Sequence, residues 1–141
     1  MAIEVKGLAD INAALTEFLV DTDKAIAEAI GKTAFSVQRT AVLDIRKPSP
    51  GEPIKRGNII HVQSKDGDAP NTDTGRLINS LAVNHTRGAH FAHVFTNLDY
   101  GFFLETVHNR PFLEPAKEKE IPDFSSRMKE AIDKQVKAAN K

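Results

Sequence analysis

The stretch from residue 21 to residue 46 constrains the fold more than any other. Ile26, Ile30, Ala34, Val37, Ala41 and Ile45 recur at spacings of three and four, which places them on one face of an α-helix, with Lys24, Glu28, Lys32, Gln38 and Arg39 opposite. Asp21, Thr22 and Asp23 supply N-cap chemistry at its start. Residues 47–53 (KPSPGEP) end it at about Arg46, because proline lacks the amide hydrogen a helix needs and restricts the residue before it. An amphipathic helix this long is stable only against a partner layer, and its small alanines let that layer approach closely.

The rest of the chain supplies the layer. Residues 2–6 (AIEVK) alternate and predict a short strand; Leu8, Ile11, Leu15, Phe18 and Leu19 then predict a separate helix over about residues 9–20. Residues 48–73 read as one long, mobile loop carrying a small hairpin arm, with residues 58–63 (NIIHVQ) as a strand. Loops that long inside a compact domain are functional or order on binding. A short helix (GRLINSL) follows, capped by Asp73 or Thr74, with Leu77 and Leu81 on its core side.

Residues 81–86 and 91–96 flank Arg87–His90, a glycine-containing connection that predicts a β-hairpin; Leu81, Val83 and His85 share one face, Phe91, His93 and Phe95 another. Residues 98–116 (LDYGFFLETVHNRPFLEPA) predict a helical turn capped at Asn97 or Asp99, then a turn at Pro111 into a second apolar anchor, Phe112 and Leu113. Residues 118–122 break the chain before a last helix over 123–139, with Phe124, Met128, Ile132 and Val136 on one face. The fold class is α+β: a single domain, 1–141, in which a long N-terminal amphipathic helix packs on a small antiparallel sheet, with a long loop and a C-terminal helix.

Composition narrows the chemistry. With no cysteine there are no disulfides, thiolate zinc sites or cysteine nucleophiles. The 19 basic and 19 acidic residues cancel, so no overall field steers the chain onto nucleic acid or an anionic membrane, and no apolar run reaches the ~18 residues of a membrane span. Glu4 and Asp10 near the start break any basic-then-apolar signal pattern, so no Sec export is expected.

His61, His85, His90, His93 and His108 have no metal-ligand spacing, since strand residues three apart point to opposite faces. No serine sits in a GxSxG turn and no glycine-rich phosphate loop is present. Glu118/Glu120 and Asp21/Asp23 lie in polar runs that read as solvated faces or caps. The sequence therefore predicts no catalytic residue, no cofactor and no metal. Arg46, Lys47, Lys55, Arg56 and Lys65 cluster around the long loop, but Glu52, Asp66 and Asp68 interleave with them, so nucleic-acid contact is a subordinate reading.

Three pieces, in order, carry a resemblance. They are the amphipathic helix ending in the PGEP loop; Thr74-Gly75-Arg76-Leu77 with Ser80, similar to a TGxLxxS motif; and Tyr100, Leu104, Glu105, then Arg110-Pro111-Phe112-Leu113 with Pro115-Ala116, similar to Y-A-x-x-L-E followed by R-P-F-L-x-P-A. Together they resemble the tail-component family of long-tailed bacteriophages, the small neck or tail-completion proteins that join the tail tube to the head connector. Gly101 stands where that family has alanine, and Thr106-Val107 where it has Gly-Thr, which removes the glycine of a positive-φ turn after Glu105.

The resemblance implies a non-enzymatic virion protein, found in the host cytoplasm before assembly. It implies a ring of identical subunits, a hexamer, that meets the tail tube or tail terminator on one side and the head connector or stopper protein on the other. No membrane is involved, and nucleic acid enters only as the genome passing through the ring. Tyr100, Glu105, Arg110, Lys55 and Arg56 are the interface candidates, and charge reversal at Glu105 or Arg110 is expected to impair assembly while leaving the monomer folded. The alternative is a tail-assembly factor or DNA-contacting module using the basic loop.

Overall fold

A computed structural model describes residues 7–140. The strand expected over residues 2–6 lies outside the described residues. Helix α1 (Leu8–Arg46) is 39 residues long, about 58 Å at 1.5 Å per residue. It is one helix where the sequence predicts two. The polar run Asp21-Thr22-Asp23 does not cap a new helix but is carried through: the Thr22 hydroxyl donates to the Phe18 carbonyl one turn back at 2.7 Å, and Lys24 lies 3.6 Å from Asp21. Without Pro or Gly at this point nothing stops propagation, and short polar residues tolerate a helix interior when they bond within it.

The helix ends at Lys47, as the KPSPGEP run requires. Strands β1 (Pro53–Arg56) and β2 (Ile59–Val62) pair antiparallel with Arg56 opposite Ile59. Their two-residue turn begins with Gly57 at φ 62°, the place glycine holds in a II′ turn. This is the hairpin arm expected inside the loop. The loop around it is tied down. Asn71 accepts from the Ser49 amide and donates to the Ser49 carbonyl, both at 2.7 Å, and donates to the Val62 carbonyl at 3.0 Å, so one side chain closes the base of the arm.

Helix α2 (Arg76–Ser80) has Gly75, in the left-handed region at φ 74°, at its N-cap position; of the two expected capping residues, Thr74 is the one whose hydroxyl accepts from the Arg76 amide, at 3.4 Å. Strands β3 (Leu81–Asn84) and β4 (His93–Thr96) form a second antiparallel pair, with Val83 opposite Val94. The strands are shorter than predicted and the connection longer, running from residue 85 to residue 92. Val94 and Thr96 turn inward with Leu81, while His93 and Phe95 face outward. As expected, α1 packs on the small antiparallel β3–β4 sheet, and the arm's β1–β2 pair is a second, separate two-stranded sheet.

Helix α3 (Asp99–Thr106) has Leu98 at its N-cap position, without the side-chain cap expected from Asn97 or Asp99. Helix α4 (Leu113–Ala139) is continuous through Pro122, where the sequence predicts a break. An interior proline removes one helix hydrogen bond and costs about 3 kcal/mol. Packing on α1 holds both sides of it: Lys119 bonds Asp44 and Glu120 accepts from Thr40, each at 2.7 Å, before the proline, and Arg127 donates to Thr33 at 3.2 Å beyond it.

The core lies where α1 and α4 meet the β3–β4 ribbon and α2, built from Val37, Ala41, Ile45, Leu77, Leu81, Phe112 and Ala116. Phe112 and Ile45 are its largest fully buried side chains, each contributing about 1.5–3 kcal/mol by burial. Of the aromatic cluster in residues 98–116, only Phe112 is core. Phe102 and Phe103 are 65% and 50% exposed, because the face of α3 that meets the core carries Gly101 and Leu104 instead. No helix among the described residues is long and apolar enough to cross a membrane.

Candidate functional site

Between the hairpin arm, the start of α2 and the exposed side of α3 lies a groove of about 520 Å³, within the range of sites that take a ligand or a peptide. Its floor is the end of α1 and α2, through Ile45 and Leu77; Ile54, Arg56 and His61 of the arm form one wall, Tyr100, Phe103 and Leu104 of α3 the other. The wall composition follows from the strand register. Ile54 opposite His61 and Arg56 opposite Ile59 share the arm's inward face, while Lys55 opposite Ile60 and Pro53 opposite Val62 share its outward face.

Three arginines line the groove, Arg56, Arg76 and Arg110, against the one carboxylate of Asp73. Arg56 lies 3.2 Å from Asp73 and His61 3.8 Å from the same group. Arg76 makes no side-chain ion pair among the described residues. The residues 74–77, TGRL, all line the groove, as do Tyr100 and Leu104. Segments far apart in sequence therefore converge on one surface.

Arg110 sets the depth of this groove. Its side chain is only 11% exposed. The Nε donates to the Ser64 carbonyl at 3.2 Å, a terminal nitrogen lies 3.4 Å from Asp66, and with the Gln63 amide oxygen turned toward it both terminal nitrogens donate to that oxygen at 2.7 and 2.8 Å. The Gly67 amide also donates to the Asn109 carbonyl at 2.7 Å. Asn109 itself has φ 48°, so the left-handed turn falls four residues after Glu105 and on an asparagine, a residue that tolerates it. The guanidinium thus bolts the loop to the α3–α4 corner. Beneath it the Ser64 hydroxyl is buried with no hydrogen-bond partner among the described residues.

Glu105 does not pair with Arg110. Its carboxylate accepts from the backbone amides of Phe112, Leu113 and Glu114 at 2.8, 3.1 and 2.9 Å, which satisfies three of the amides left open at the start of α4 and puts negative charge at the positive end of its dipole. Phe112 at the N-cap position has no side chain able to do this. The motif spacing from Glu to RPFL is therefore the geometry of a remote cap.

Of the five residues singled out from the sequence, Arg56, Tyr100 and Arg110 meet in the groove, Lys55 lies on the arm's outer face, and Glu105 is outside the groove lining, its carboxylate on the start of α4. Arg110 and Glu105 are committed to backbone groups rather than standing free. Sequence reasoning missed Gln63, Ser64 and Asn71. Their only signal was polar residues in a loop rich in proline and glycine. Among the described residues no three His, Asp or Glu side chains are grouped to hold a metal ion. Compared with protein-family models, curated proteins and solved structures, the chain has no match.

Proposed function

We propose that this chain is a structural, non-enzymatic subunit of the neck of a long-tailed bacteriophage, a tail-completion protein that assembles as a ring and joins the tail end to the head connector. One observation carries the reading: the residues of the resemblance, TGRL at 74–77, Tyr100, Leu104 and Arg110, come from three segments and line a single groove. Motifs that served only the core would be buried; here Tyr100 is exposed and Arg76 is free of side-chain partners among the described residues. An open, largely apolar groove rimmed by arginine suits recognition of another protein.

Deleting the gene tests this. The expected outcome is complete heads and complete tails that remain unjoined, with joining restored by the purified protein. Joined particles from the deletion strain would refute the proposal. Neutralising Lys55 and Arg56 separates it from the DNA-contacting alternative, which alone requires salt-dependent DNA binding that this double variant abolishes.

A further inference from the structure

Among the described residues nothing packs on the first three turns of α1. Residues 8–17 are all exposed, and the first buried side chain on the helix is Ala27. The pairs Asp44–Lys119, Thr40–Glu120 and Thr33–Arg127 advance in opposite directions on the two helices, so α4 reaches its end level with about residue 21 of α1. Beyond that point α1 has no packing partner among the described residues, and Leu8, Ile11, Leu15 and Leu19 are exposed at spacings of three and four. Such a stripe has the anchor spacing by which amphipathic helices enter apolar grooves.

We infer that this stripe occupies the groove between the hairpin arm and α3 of a second copy of the chain. The inference rests on the ring reading and specifies its contact. The groove offers Ile54 and Phe103 as exposed apolar walls over a closed floor of Ile45 and Leu77. The stripe cannot fill its own groove, because an unbroken helix separates Leu15 from Ile45 by about 45 Å. The charges also match. Residues 8–20 contain Asp10 and Glu17 and no lysine or arginine, whereas the groove carries Arg56, Arg76 and Arg110 against the one carboxylate of Asp73, with Lys55 on the outer face of the arm.

At 100° per residue Asp10 and Glu17 lie away from the stripe, so they act through the field, speeding encounter and fixing orientation. Because stripe and groove sit at opposite ends of the subunit, the contact is head-to-tail, the type that closes into rings.

The absence of cysteine makes the test direct. Leu15→Cys protein and affinity-tagged Ile54→Cys protein, both at exposed positions, are mixed under mild oxidation. The expected product is a mixed disulfide dimer formed about tenfold faster than either variant links to itself. The Lys55→Glu/Arg56→Glu background should slow it several-fold, and Asp10→Lys/Glu17→Lys in the partner should restore it. Self-linking of Leu15→Cys as fast as the mixed reaction would mean a symmetric helix pair and overturn the inference. If rings form on tail tubes in electron micrographs without the mixed disulfide, the groove assignment fails and the ring reading stands. If neither rings nor disulfide form, both fail.

Discussion

Replacing Glu105 with alanine should destabilise the fold rather than merely disturb an interface. The substitution strips three backbone amides at the start of α4 of their acceptor. Losing an N-cap side chain costs about 1 kcal/mol, and up to about 2. Removing a negative charge from a partly buried helix N-terminus adds about 0.5–1 kcal/mol. The total is about 1.5–3 kcal/mol, short of the sum of three charged hydrogen bonds because water reaches the exposed Glu114 amide. For a chain of this size that lowers Tm by roughly 5–10 °C. Urea unfolding followed by circular dichroism should show the midpoint falling with an unchanged slope. Glu105→Gln, which keeps one acceptor oxygen and loses the charge, should fall about halfway. A loss under about 0.5 kcal/mol for Glu105→Ala, or a glutamine variant as weak as alanine, would refute the capping argument. A folded Glu105→Lys monomer of native stability that no longer assembles would restore the surface role read from the sequence.

Three other substitutions probe the remaining joints. Gly101→Ala should cost about 1–3 kcal/mol by overpacking, because a Cβ there would meet Thr96 Cγ2 at 2.6 Å. Adding Thr96→Ser removes that methyl and keeps the hydroxyl that bonds Ser80 and the Leu98 amide, so thermal melts should show the double variant recovering most of the loss. Gly51→Ala should disorder the arm, since a Cβ at Gly51 would overlap the Gln63 carbonyl oxygen; amide exchange over residues 53–62 is expected to accelerate with the α1–α4 amides unchanged. Arg110→Lys should fail to replace arginine, because an ammonium cannot span Ser64, Asp66 and Gln63 at once. Exchange at residues 63–68 should rise about as much as in Arg110→Ala, and equal protection in the lysine and wild-type chains would show the fork is not needed.

The helix at 26–45 was legible because its apolar residues keep one period and all but Ile26 and Ile30, both half-buried, fall in the buried seam. The hairpin arm and the β3–β4 pair were legible from alternation and turn glycines. The continuity of α1 and α4 was not. At both Asp21-Thr22-Asp23 and Pro122 local preference argues for a stop, and long-range packing or an internal side-chain bond outweighs it, which no local window contains. The groove was half legible. Its motif residues stood out, but the exposure of Phe102 and Phe103 did not, because hydrophobicity says which residues favour burial, not which of two adjacent helix faces meets the core. Glu105 and Arg110 were noticed as charges; that their partners are backbone groups in other segments requires the fold.

The unbroken course of α1 has a further consequence. Since residues 8–46 form one rod, the height of the apolar stripe and its direction around the axis are both fixed by counting residues from the core. One residue inserted between Leu19 and Ala27 would raise Leu15 by about 1.5 Å and swing it by about 100°. Seven residues, close to two full turns, would raise it by about 10 Å and return it nearly to its bearing. The helix is therefore a vernier as well as a spacer: length changes in this segment preserve the direction of the stripe only in steps near seven or eleven, and each step resets the reach of the subunit by a predictable amount.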